Sequence, residues 1–134
     1  MKATVSIIGV FSIRPFISFP RSVNELLFEN ENKDDLVIFK GFAEFNKEKL
    51  ISEGNVGIFG GISDRYGVSG IEGEIIGNQM SFFKGYINTG IENKGFIYSL
   101  EKEEKEEFGV WQGSWKEKDS NNESCGFVYL MMFE

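Results

Sequence analysis

Between Ile58 and Ile87 the chain reads IFGGISDRYGVSGIEGEIIGNQMSFFKGYI, and no other stretch constrains the fold as much. It divides into three short runs rich in β-branched and aromatic residues, separated by two turn signals. In Asp64-Arg65-Tyr66-Gly67 the aspartate can fold its carboxylate onto local N–H groups, and the glycine takes φ > 0 without steric cost. This pattern predicts a three-residue hairpin loop with Gly67 in the left-handed position. Gly77-Asn78 predicts a two-residue turn. Loop length sets register. The first loop therefore predicts Ser63 opposite Ser69 and Gly61 opposite Ile71. The second predicts Ile75 opposite Met80, Gly73 opposite Phe82 and Ile71 opposite Lys84.

In that register one face carries Phe59, Ile71, Ile75, Met80, Phe82 and Tyr86, with Gly57, Gly61, Gly73 and Lys84. The other carries Glu72, Glu74, Gln79 and Ser81, with Ile58, Ile62 and Phe83. The first face is the expected interior. A slip of one residue would exchange the two faces.

The flanking sequence extends the same pattern. Lys2–Ile13 is the expected first strand, and the capping box Ser22-Val23-Asn24-Glu25 followed by Leu26 and Leu27 predicts a short helix near residues 22–29. Leu36–Phe45 is a strand with Val37, Phe39, Ala43 and Phe45 on one face. Asn46–Lys49 reads as a turn and Leu50–Ser52 as a separate short segment. Later strands are expected at Gly95–Glu101, Phe108–Lys116 and Cys125–Phe133. The charged run Glu101–Glu107 between the first two of these has no apolar face that would hold a helix down. The last strand is apolar on both sides, which implies covering elements, a subunit contact, or both.

About eight antiparallel strands at 8–12-residue spacing predict an all-β protein, an up-and-down meander barrel in which closure removes the exposed edges. A two-sheet sandwich is the alternative. Residues 1–134 are expected to form a single domain. With 14 Phe among the 134 residues, the chain has apolar surface enough to fold rather than stay disordered.

The net charge of −7 argues against nucleic acid or an anionic membrane surface as the main partner. A lone cysteine, Cys125, allows no internal disulfide, no apolar run approaches the length of a membrane span, and no clear signal-cleavage site follows the N-terminal apolar residues. A cytoplasmic location is the resulting expectation.

The chain contains no histidine. That removes the commonest general base, the usual metal ligand and every His-dependent triad. No phosphate-binding glycine loop is present, because Gly57-x-x-Gly60-Gly61 lies in a strand pattern without a following helix. No metal or cofactor is expected, and a non-catalytic protein is favoured.

Lys84 is the most informative single residue, a charge between Phe82 and Tyr86 on an apolar face. It reads as an ammonium that anchors a ligand, as a lysine that snorkels to the barrel rim, or as the partner of a structural acid. Burial would require a partner: a phenol such as Tyr86 or Tyr98, a carboxylate from a neighbouring strand, or a ligand anion. Trp111 and Trp115 share a strand face and suit either the wall of a ligand site or a packed core. Glu72 and Glu74 belong to the solvated face.

Gly67-x-Ser69-x-Ile71-x-Gly73, Phe82-x-Lys84-x-Tyr86, Gly113-x-Trp115 and the closing Gly126-Phe127 together resemble the small meander barrels of the calycin type, the streptavidin-like and lipocalin-like proteins. The resemblance spans Gly57 to Phe133. It implies a small hydrophobic or amphipathic ligand in the barrel mouth. The polar residues of a biotin site have no match here.

Two functional readings follow. One is a ligand-binding barrel in which Phe59, Phe82, Tyr86, Trp111 and Trp115 line a space left by Gly57, Gly61 and Gly73, and Lys84 fixes one polar end. The other is a scaffold that forms a homo-oligomer through an outer apolar stripe of Val128, Leu130 and Met132. A histidine-free enzyme using Lys84 with a carboxylate is a third, weaker reading.

Overall fold

A computed structural model describes residues 2–12, 36–87, 95–102, 109–118 and 125–133. It is a closed barrel of eight strands in sequence order: β1 (Lys2–Ser12), β2 (Leu36–Asn46), β3 (Asn55–Asp64), β4 (Gly67–Ile76), β5 (Gln79–Tyr86), β6 (Gly95–Lys102), β7 (Val110–Glu117) and β8 (Cys125–Phe133). Every neighbouring pair is antiparallel, and β1 closes on β8 from Ser6↔Phe133 to Phe11↔Val128. The expected helix near residues 22–29 and most of the charged run after Glu101 lie outside the described residues.

A helix forms elsewhere, at α1 (Lys47–Glu53), over a segment that reads in the sequence as a turn followed by a short extension. Asn46 makes the start, its side chain accepting from the Lys49 N–H at 3.0 Å. Gly54 makes the stop in the left-handed conformation, φ 75°, its N–H returning to the Leu50 carbonyl. Leu50 packs against the barrel core, which holds this single-sided helix in place.

Alternation with period two sends one side of each strand inward. The core takes Val5, Ile7 and Phe11 from β1, Val37, Phe39, Ala43 and Phe45 from β2, and matching sets from every other strand. Fully burying one such aliphatic or aromatic side chain contributes about 1.5–3 kcal/mol.

The β4–β5 register is as the sequence predicts: Ile75↔Met80, Gly73↔Phe82 and Ile71↔Lys84. The β3–β4 register is one residue different, with Ser63↔Val68, Gly60↔Ile71 and Asp64↔Gly67. Only Arg65 and Tyr66 lie in the turn, because Gly67 pairs with Asp64 as the last rung. That slip exchanges the faces of β3. Val56, Ile58 and Ile62 are buried, whereas Phe59 is 44% exposed on the outside.

The glycines follow the same correction. Gly57 and Gly61 face outward with β3's outer side. Gly73 faces inward but leaves no free volume, because a Cβ there would lie 2.0 Å from the Ser81 carbonyl oxygen and 2.6 Å from Phe82 Cβ. Gly73 marks a close approach of β4 to β5.

β8 is buried on both sides, with Gly126 through Leu130 all buried. The faces are opposite to expectation: Val128, Leu130 and Met132 lie in the barrel core. The outer side carries Phe127 and Tyr129, which form a separate cluster with Val10, packed by Leu36 and Val110.

Candidate functional site

The barrel has two chemically different ends. One carries the β3–β4 turn, the end of β5 and the start of β6; the other carries α1 and the Gly77-Asn78 turn. Lys84 belongs to the first. Its neighbours on β5, Phe82 and Tyr86, share its inward face, and its side chain is 1% exposed.

The ammonium has three donors, and three acceptors surround it. These are Asp64 Oδ2 at 2.9 Å, the Tyr86 hydroxyl at 2.8 Å and the Tyr98 hydroxyl at 3.3 Å. The Tyr86 hydroxyl donates in turn to Asp64 Oδ2 at 2.6 Å. Asp64 Oδ1 accepts from the Tyr66 N–H at 2.8 Å, so the same carboxylate closes the turn and neutralises the lysine. Ring faces complete the shell: the ammonium lies 4.5 Å from the centroids of Phe11 and Tyr86 and 5.6 Å from that of Tyr98.

The reach from β3 to β5 depends on what β4 places between them. The inward positions of β4 at this end are Gly67 and Ser69, the two smallest available polar-compatible residues. Ser69 is buried and turns its hydroxyl to the Ile62 carbonyl at 3.4 Å. Neither side chain obstructs the line from Asp64 to Lys84.

Desolvation dominates the electrostatics. Burial pushes the Lys84 ammonium below the ordinary lysine range, and the hydrogen bond and charge of Asp64 act in the opposite direction. Burial pushes the Tyr86 phenol well above its ordinary value, reinforced by the hydrogen bond to Asp64. Tyr98 moves the same way, chiefly by burial and then by the Asp64 charge. Both phenols are therefore held protonated, as hydrogen-bond donors or acceptors rather than as bases.

An aromatic wall surrounds the network. Phe82 stacks on Tyr98 at 4.8 Å with the rings 13° apart, and Tyr86, Phe96, Trp115 and Phe11 follow in a chain of edge-to-face contacts. Trp115 donates its indole N–H to the Ser12 carbonyl at 2.8 Å. Ser12 also clasps β8, its hydroxyl accepting from the Phe127 N–H at 2.8 Å.

Of the residues singled out in the sequence, the fold brings Lys84, Phe82, Tyr86 and Trp115 into this end of the barrel. Trp111 lies toward the opposite end, where Lys102 is its cross-strand neighbour. Its indole N–H is buried with no hydrogen-bond partner among the described residues, unlike that of Trp115. Phe59 is on the outer face, with the Lys2 ammonium 4.8 Å from its ring centroid. Glu72 and Glu74 are exposed, as expected. Asp64 is the residue sequence reasoning missed. In the sequence it reads only as a turn former, and in the expected register its side chain points outward, whereas the observed register turns it inward to Lys84.

Two concavities formed by described residues lie outside the packed core. One is a groove of about 440 Å³ over β4–β7, lined by Glu74, Ile76, Gln79, Met80, Leu100 and Gln112 among others. The second lies between α1 and the barrel end. Among the described residues no group of three or more His, Cys, Asp or Glu side chains comes together as a metal site, and no helix is long and apolar enough to cross a membrane.

Comparison with protein-family models, with curated proteins and with solved structures finds no match for this chain.

Proposed function

We propose that the protein is a calycin-type barrel, of the lipocalin-like and streptavidin-like kind, that binds a small amphipathic molecule without catalysis at the end where Lys84 sits. The observation that supports this reading is the Asp64–Lys84–Tyr86–Tyr98 network set into an aromatic wall. A buried ion pair contributes little to stability compared with apolar residues of the same volume. Such a group is well suited to recognise a polar head. The Tyr86 hydroxyl, half-buried and already both donor and acceptor, is the natural point of exchange with a ligand hydroxyl or carboxylate. The apolar part of the ligand would lie against Tyr86, Phe96 and Trp115.

Native mass spectrometry of freshly purified protein tests the reading. The expected result is a small-molecule adduct on the wild type that is lost in Tyr86→Phe, a variant that keeps the ring and removes the exchangeable hydroxyl. A bare wild-type chain that also shows no saturable uptake of anilinonaphthalene sulfonate would count against it.

A second reading, a scaffold that self-associates, draws support from a different surface than the sequence suggested. Ile38, Phe42, Phe59 and Phe133 are exposed on the outer side of β1–β3 and β8. Ser6 is the cross-strand neighbour of both Phe42 and Phe133, so the patch is continuous around β1. Sedimentation of wild type and Phe42→Ser distinguishes the two: a dimer that the substitution dissociates favours the scaffold.

A further inference from the structure

We infer that the groove over β4–β7 binds a linear aliphatic polyamine, at a site on the barrel wall separate from the Lys84 end. Its volume is about 440 Å³. Two rungs of side chains build it. One runs Ile76, Gln79, Glu101 and Gln112 across four strands, each residue paired with the next. The other, two residues along, runs Glu74, Ser81 and Ser99. All of these are exposed, on the outward side of their strands. The step down to serine at Ser81 and Ser99 leaves a hollow between the two glutamates.

The lining contains the carboxylates of Glu74 and Glu101 and no cation. Neither carboxylate, and neither amide of Gln79 and Gln112, has a hydrogen-bond or ion-pair partner among the described residues. Lys102 follows Glu101 but points to the other side of β6, where its ammonium lies 5.3 Å from the centroid of the Trp111 ring. The groove is therefore a local excess of negative charge on a chain whose net charge is already −7, and it attracts cations.

Spacing selects among cations. Glu74 and Glu101 stand two strands and two residues apart, about 10 Å across the sheet and about 7 Å along it. Two ammonium groups joined by a methylene chain match two separated carboxylates, one charge-assisted hydrogen bond at each end. The free amide oxygens of Gln79 and Gln112 can accept the remaining N–H donors. Ile76, 54% exposed on the rim, offers apolar surface to the methylenes. A single metal ion is poorly served, because hard cations take on the order of six oxygen ligands and among the described residues no third acidic group joins the pair. A quaternary ammonium is poorly served too, because no aromatic ring lines the groove.

Spermidine is the probe, with n-butylamine as its single-charge counterpart and Mg²⁺ as a cation without a chain. Calorimetric titration of the full chain at low ionic strength, with amide chemical shifts in parallel, is expected to show saturable spermidine binding with shifts centred on Glu74, Gln79 and Glu101. n-Butylamine should bind at least about tenfold more weakly, as should spermidine to Glu74→Gln and to Glu101→Gln, each of which removes one charge-assisted hydrogen bond. Both substitutions are at exposed positions where folding is insensitive. Glu44 lies on β2, across the barrel from the groove. Glu44→Gln removes the same charge from the chain and should leave spermidine affinity within about twofold, because distant surface charges are screened. No saturable spermidine binding, equal affinity for n-butylamine, an equal loss in Glu44→Gln, or full displacement by an equal concentration of Mg²⁺ would each overturn the inference.

Discussion

The Asp64 carboxylate and the Lys84 ammonium, on strands separated by β4, meet at 2.9 Å with side chains 0% and 1% exposed. Removing one member of a buried pair leaves the other charge without compensation, which costs about 3–5 kcal/mol. Lys84→Met is expected to destabilise the barrel by an amount in that range. Asp64→Asn keeps an acceptor for the Tyr66 N–H and loses the charge, so Lys84→Met with Asp64→Asn should recover most of the loss. Chemical denaturation of the two single variants and the double variant gives the coupling. A Lys84→Met midpoint equal to that of the wild type would make Lys84 a solvated rim residue and remove the basis of the proposed ligand anchor.

The same network makes stability depend on alkaline pH in two opposed ways. Lys84 has a folded pKa below its unfolded value of 10.5, so between those two values the unfolded chain binds the extra proton and stability rises with pH. Tyr86 and Tyr98 have folded pKa values raised above the model-peptide value of 10.0, so above about pH 10 the folded chain holds the extra protons and stability falls. Beyond pH 10.5 only the phenols still act, and Tyr98 alone contributes a slope of about 1.4 kcal/mol per pH unit. Absorbance at 295 nm should show Tyr86 and Tyr98 ionising only together with unfolding. Tyr98→Phe should flatten the alkaline slope, and smooth ionisation of all tyrosines in the folded barrel would contradict the burial of this pair.

The faces of β3 can be tested by a pair of adjacent substitutions. Ile58 is 2% exposed inside the barrel and Phe59 is 44% exposed outside it. Ile58→Ala is expected to cost about 2–5 kcal/mol, whereas Phe59→Ser should change stability by less than about 1 kcal/mol. The opposite order, measured by urea denaturation, would restore the register that the sequence alone suggests.

That register shows where the sequence was legible and where it was not. The meander, the strand count and the β4–β5 pairing follow from turn chemistry at Gly77-Asn78 and from period-two alternation. At the β3–β4 turn the sequence reads as a three-residue loop, whereas the structure makes a two-residue turn between Asp64 and Gly67. Hydrophobicity along β3 favours the face of Val56, Ile58 and Ile62 over that of Phe59 and its glycines, and it is the three-residue loop expected at Asp64–Gly67 that points the other way. The single-residue error then propagated: it turned Phe59 inward, turned Asp64 outward, and hid the counter-ion of a lysine whose need for a partner was evident from the sequence. α1 was missed for a different reason. Its helix depends on the Asn46 and Gly54 caps and on one packed side chain, Leu50, too short a pattern to show a period. On β8, apolar on both faces, the expected outer stripe of Val128, Leu130 and Met132 is the inward side.

Glycine placement supplies the last test, because two glycines that look alike in sequence have opposite surroundings. A Cβ at Gly57 would have the Gly73 carbonyl oxygen as its nearest neighbour, at 3.8 Å, an ordinary contact on the outer face. A Cβ at Gly73 would lie 2.0 Å from the Ser81 carbonyl oxygen and 2.5 Å from Phe82 Cα, both backbone atoms of the paired strand. Neither residue has a positive φ, so conformational strain does not separate them. Gly57→Ala should therefore be neutral or slightly stabilising, since it reduces the freedom of the unfolded chain. Gly73→Ala must push β4 away from β5 and should cost at least about 1–3 kcal/mol. The displacement would also reach the Asp64–Lys84 network, because Lys84 pairs with Ile71 two residues from Gly73. A Gly73→Ala protein as stable as wild type, measured by thermal denaturation, would mean that β4 and β5 do not approach closely here and that the barrel interior has room the packed core leaves unaccounted for.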